Sequence, residues 1–135
     1  MTVHAVPSIP RSSSKGAGRW YVRIEPDSGP IRGTATGRHA SWIEIDSFEI
    51  ISMSRGPGPP RVTVRVVKPP DVATAAIYRL SASGTRCTVR VEWADRHRTL
   101  ITGVLHDARI LSMRIQSGNR EEIEVVSNRV SWKAD

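Results

Sequence analysis

The stretch 37–50 constrains the fold of this chain more than any other. It opens as a turn, with Gly37 followed by Arg38, His39, Ala40 and Ser41, and then it alternates. Ile43 and Ile45 fall on one face of a strand. Trp42, Glu44 and Asp46 fall on the other, because successive strand side chains point to opposite faces. The next apolar residues are Phe48 and Ile50, and the step from 45 to 48 is odd. The apolar phase therefore slips near Ser47. A strand that changes phase carries a bulge and bends there. A long bent strand is what a small barrel or a two-sheet sandwich uses to turn a corner. Taken alone, the stretch also fits an ordinary core strand.

The same period runs through most of the chain. Trp20, Val22 and Ile24 alternate with Tyr21, Arg23 and Glu25 over 19–25; Val62, Val64 and Val66 alternate with Arg61, Thr63 and Arg65. Cys87, Val89, Val91 and Trp93 form the inward set of 85–94. Strands at 100–106 and 110–116 follow, the second with Leu111, Met113 and Ile115 on one face. A last strand spans 121–132, where the odd step from Val125 to Val130 predicts a second bulge near Ser127 and Asn128. Turns fall at 55–60, 95–98 and 117–120, which are rich in Gly, Pro, Asp or Asn. The segment 26–39 is a Gly/Pro-rich loop, and loops of about 12 to 15 residues tend to be functional or mobile.

One segment has a different period. After Lys68-Pro69-Pro70, Asp71 is the expected N-cap of a helix at about residues 71–82, with Val72, Ala73, Ala76, Ile77 and Leu80 on its buried stripe and Gly84 ending it. The expected fold is mainly β: an antiparallel β-barrel or two-sheet sandwich with one short inserted helix.

The 135 residues suffice for one core, expected over 19–135, behind a flexible basic arm at 1–18 that contains Pro7, Pro10, Ser12 to Ser14 and Lys15. With 39% hydrophobic and 24% charged residues the chain is globular rather than disordered. No apolar run approaches the ~20 residues that span a bilayer, and residues 1–10 lack the pattern of a secretory signal. A cytoplasmic protein without membrane insertion is expected. The single Cys87 excludes an intrachain disulfide and a Cys-rich metal site, and it reads as a small buried apolar residue.

The chemistry-bearing residues do not assemble into a catalytic set. His4, His39, His97 and His106 are scattered over arm, loop, turn and strand end, without metal-pair spacing. His106-Asp107 could orient an imidazole, but no nucleophile motif accompanies it. Glu44, Asp46 and Glu49, and Glu121, Glu122 and Glu124, read as strand alternation. The run Arg55-Gly56-Pro57-Gly58-Pro59-Pro60 lacks the lysine and helix of a phosphate loop. The expectation is no enzyme, no cofactor and no metal. The charge of +7 permits an acidic partner. Arg61 and Arg65, with Arg86 and Arg90, are each four apart on strands and could form a basic contact surface; the plainer reading is a solvated face. An alternative function follows from the same charge: a basic β-barrel binding nucleic acid, with Trp42 and Trp93 as stacking platforms. Trp93 shares the inward set, and aromatic residues total only 5%, so nucleic acid is an unlikely partner.

The order of these motifs resembles a known family. A first strand is followed by a Gly-rich loop ending in His39-Ala40-Ser41-Trp42-Ile43-Glu44-Ile45-Asp46-Ser47-Phe48. A Val-rich strand then closes in Val67-Lys68-Pro69-Pro70-Asp71 before a short helix. The tail carries Glu122-Ile123-Glu124-Val125-Val126-Ser127 and Val130-Ser131-Trp132-Lys133. Together they are similar to the haemolysin-coregulated protein (Hcp) family, the tube proteins of type VI secretion systems, over roughly 20–132. The helix keeps the Lys-Pro-x-Asp lead-in but not the usual Ser-Pro-Leu, and the basic arm is an addition. The resemblance implies a β-barrel flanked by a helix that closes into homohexameric rings. These rings stack into a tube, work with spike and sheath proteins, and carry small secreted effectors. It implies export through the type VI apparatus without a signal peptide, and no chemistry of the chain's own.

Overall fold

The computed structural model describes residues 18–134 apart from 55, 59 and 117. Of the arm expected over 1–18, only Gly18 lies within them; the expected turns at 55–60 and 117–120 lie there in part. Eight antiparallel strands and one helix follow in order: β1 (Arg19–Pro26), β2 (Ile43–Ile45), β3 (Ser47–Ser54), β4 (Arg61–Lys68), α1 (Thr74–Ser83), β5 (Cys87–Ala94), β6 (Thr99–Gln116), β7 (Arg120–Ser127) and β8 (Arg129–Ala134). The spatial order is β2-β1-β5-β6-β7-β4-β3, with β8 also paired to β6. The mainly β expectation is borne out.

Three corners curl this sheet, and each is a place where the apolar phase slips. At Asp46 the expected single bulged strand is instead two strands. β2 pairs with β1 (Trp20 opposite Ile45), and β3 pairs with β4 (Phe48 opposite Val66). The chain changes partner strand at Asp46, whose N–H donates to the Val67 carbonyl of β4 at 2.7 Å and ties the junction of β2 and β3 to that strand. The slip predicted at Ser47 is this change of partner. A bulge does occur in β3, but farther on, where the register steps between Ile50 and Ser52.

The second corner was expected to be a connection between two strands. The structure runs straight through it: β6 is one strand of 18 residues. Asp107 sits in the left-handed region at φ 52, a conformation aspartate tolerates better than most residues. It shifts the buried parity from Ile101 and Leu105 to Ala108 and Ile110. The part before it pairs with β5 and β8, and the part after it with β7. The third corner divides the expected last strand at Asn128. β7 lies between β4 and β6, while β8 keeps the same direction and continues along the first half of β6.

The interior is filled from all sides. Trp20 packs against Phe48 (centroids 5.5 Å apart) and Trp93 (5.1 Å), and Phe48 meets Trp132 edge-on at 5.9 Å. Trp20, Val22, Ile24, Val62, Val64, Val66, Val89 and Val91 are all buried, as their alternation predicts. Burying each such aliphatic side chain stabilises the fold by roughly 1.5–3 kcal/mol. Gly103 lies beneath Trp132: a Cβ there would stand 2.5 Å from the indole.

The helix begins later than expected, at Thr74 rather than 71, and ends at Ser83. Asp71 is therefore not its N-cap. Its Oδ1 accepts the Ala73 N–H at 2.9 Å, and Thr74 Oγ1 accepts the Asp71 N–H at 3.0 Å, which closes a turn before the helix. Val72 consequently leaves the buried stripe and is 60% exposed, whereas Ala73, Ile77 and Leu80 are buried. Gly84 ends the helix as predicted, at φ 68, with its N–H on the Leu80 carbonyl at 3.0 Å.

Candidate functional site: polar nodes and exposed surfaces

The deepest polar group is one that the sequence reading treated as a strand end. Lys68 continues the inward parity of Val62, Val64 and Val66, and its side chain is fully buried. Its Nζ donates to Glu121 Oε1 at 2.8 Å and to the Pro69 carbonyl at 2.9 Å, and lies 2.9 Å from Asp71 Oδ1. Thr74 Oγ1 donates to the other Glu121 oxygen at 2.7 Å. One ammonium thus ties β4, β7 and the start of α1 together. Such a buried pair fixes geometry more than it adds stability, because desolvation offsets much of the Coulomb gain.

A second node pins the long loop. A short 3₁₀ turn at Gly37–His39 inserts the His39 ring against Tyr21, stacked at 4.1 Å, with Trp42 edge-on at 5.3 Å. His39 Nε2 meets Glu92 Oε1 at 2.7 Å, and Thr99 Oγ1 donates to the same oxygen at 3.1 Å. Elsewhere the His106 ring reaches Ser131 Oγ at 3.2 Å. Burial, and then the cations Arg129 and Arg90, hold the His106 pKa below the usual histidine value. Burial alone pushes the Cys87 thiol up to about 11. No three His, Cys, Asp or Glu side chains gather as a metal site among the described residues.

The four arginines singled out in the sequence are placed apart. Arg61 and Arg65 lie on β4, and Arg90 lies on β5, which is not a neighbour of β4. Arg86 precedes β5 rather than belonging to it. Three of the four carry carboxylates. Arg65 reaches Glu49 (3.1 Å), Glu122 (3.5 Å) and Glu124 (3.7 Å); Arg90 shares Glu25 with Arg23 (2.9 Å each); Arg86 lies 3.4 Å from Asp107. Arg61 is exposed with no acidic partner among the described residues. The expected stacking platforms are not available either: Trp93 is buried, and Trp42 is half-buried against His39.

Several large apolar side chains are exposed. Leu111 (51%) and Ile115 (62%) lie on the far half of β6, and Tyr78 (63%) with Val72 lies on and before α1. Leu111, Met113 and Ile115 share a parity, as expected, but only Met113 packs against the core.

An eight-stranded antiparallel sheet with one flanking helix, turned at three residues where strands change partners, matches the fold of solved Hcp proteins. The secreted protein Hcp3 of Pseudomonas aeruginosa superposes with a TM-score of 0.71 at 20% identity, over 87% of this chain and 91% of that one. Hcp1 of E. coli gives 0.70 at 14% identity over 86% and 98%. A chain of the sheath–tube complex of an extracellular contractile injection system gives 0.58 at 13% identity over 87% and 89%. No protein-family model and no curated protein sequence matches the chain. At these identities the likeness establishes the fold.

Proposed function

We propose that this chain is a structural tube protein of a type VI-like secretion system, self-assembling into stacked hexameric rings whose lumen carries small effectors. The observation that carries this reading is the fold, which extends over most of the chain in secreted Hcp proteins and in a sheath–tube complex. The partners it implies are further copies of itself, the sheath around it and the spike above it. It leaves the cytoplasm through that apparatus and performs no catalysis.

Ring closure needs a heterologous interface, one patch of each copy meeting a different patch of the next. The exposed Leu111, Ile115, Tyr78 and Val72 supply apolar area for such contacts. Size-exclusion chromatography with light scattering, followed by negative-stain imaging, tests the reading. Six copies in an annulus, alone or stacked, is the expected result. A monomer at every concentration refutes it.

A further inference from the structure

The β5–β6 hairpin ends in a basic tip. Its tip, Asp95-Arg96-His97-Arg98, exposes two guanidiniums and an imidazole in succession. A third guanidinium joins them: Arg38, brought in by the loop that His39 pins, donates from Nη2 to the Asp95 carbonyl at 2.9 Å. The tip is rigid. The Asp95 N–H donates to the Arg98 carbonyl at 3.0 Å, and Asp95 Oδ1 accepts the N–H groups of His97 (2.7 Å) and Arg98 (2.8 Å). The only carboxylate at the tip therefore points into the turn. The nearest strand cation, Arg19 opposite Ala94, is matched by Glu44 at 2.6 Å. Arg96 and Arg98 form no ion pair among the described residues, in contrast to Arg65, Arg86 and Arg90. The Asp95 carboxylate, its pKa held low first by the backbone N–H groups of Arg98 and His97, also feels the Arg98 charge.

We propose that this hairpin tip, with Arg38, docks a carboxylate-rich segment of a partner protein. Guanidinium forks pair bidentately with carboxylates, and a preformed turn holds them without an ordering cost at binding. Phosphate of a nucleic acid is the rival chemistry, and the surroundings argue against it. Single strands are held by bases stacking on exposed aromatic rings. Tyr21 is covered by His39, Trp93 is buried, and the exposed Tyr78 lies on α1, which leads into the opposite end of β5. The proposal is separate from ring formation, since it concerns what the chain binds rather than how it assembles.

The test measures binding of a fluorescent oligoglutamate peptide, and of a DNA duplex of matched charge, to the full chain across a salt series. Light scattering on the same samples records the assembly state. The expected result is oligoglutamate binding that weakens with salt. It falls about tenfold or more in Arg96→Glu/Arg98→Glu and is unchanged in Arg61→Glu/Arg79→Glu, which reverses two exposed cations elsewhere. An equal loss in the two double variants would reduce the effect to net charge and overturn the proposal. So would an absence of binding at low salt, or duplex binding as tight as that of the peptide and equally dependent on the tip.

Discussion

Replacing Lys68 with methionine tests the buried ionic node. Methionine matches the length of the lysine stem and fills the same space, so the change removes one charge and little packing. What remains is Glu121, 1% exposed, with Thr74 as its surviving partner, and Asp71 beside it. Breaking a buried pair by removing one member costs about 3–5 kcal/mol. A domain of this size has about 5–15 kcal/mol in total, so the variant is expected to lose a large fraction of its stability and roughly 10 °C of Tm. Urea unfolding followed by tryptophan emission reads this directly, because Trp20 and Trp93 are buried. The measurement belongs at concentrations where the midpoint no longer shifts with dilution, since assembly stabilises by mass action.

The double variant Lys68→Met/Glu121→Leu sharpens the argument. If most of the single-variant loss comes from an abandoned carboxylate, removing that carboxylate recovers at least about half of it, a coupling energy on the order of 2 kcal/mol. Two results would refute the reasoning. One is a single-variant cost under about 1 kcal/mol, which is what an exposed pair is worth. The other is a double variant whose loss equals the sum of the two singles.

Three further outcomes are expected. Gly103→Ala puts a methyl group against the Trp132 indole and should cost about 1–3 kcal/mol of stability through overpacking, read as a lower urea midpoint, with partial recovery when Trp132→Leu is added. Cys87, held at about 11 in the fold, ionises first in the unfolded chain; stability is complete below about pH 8.5 and declines as pH rises toward 11, by roughly 2–3 kcal/mol that the Cys87→Ala variant does not show in paired pH series. Ile115→Asp, at an exposed position, should change the unfolding midpoint of the dissociated chain little but shift the elution volume toward smaller species.

How much was legible follows from what alternation encodes. It reports which side of a strand is apolar, so the inward sets of β1, β4 and β5 could be read directly. It also reports where that side changes, so all three corners left a mark: odd steps at 45 to 48 and 125 to 130, and a break after His106. It does not report which strand lies alongside. A bulge, a change of partner and a short connection all leave the same odd step, and for that reason Asp46, Asp107 and Asn128 were each misjudged in kind while found in position. The Lys68–Glu121 pair was legible and missed. Both residues extend the inward parity, of Val62 to Val66 and of Ile123 to Val125, and two opposite charges on inward positions predict a buried pair. His39 was not legible, because a loop has no period and nothing local indicates that a ring 53 residues from Glu92 will meet it.

The corners also bear on the proposed assembly. A strand as long as β6 can serve two groups of partners only if its buried face rotates midway, and the left-handed Asp107 does this with a single residue. The cost is that the last turn of the sheet outruns the core: beyond the bulge at Leu111, between Ile110 and Ser112, β6 keeps its backbone pairing with β7, but Leu111 and Ile115 have no interior left to fill. An isolated protein gains nothing from apolar groups held rigidly in water at the rim of a paired strand. A protein whose neighbours are copies of itself does, because the same backbone pairing that orders the rim has already met the entropy cost of the contact.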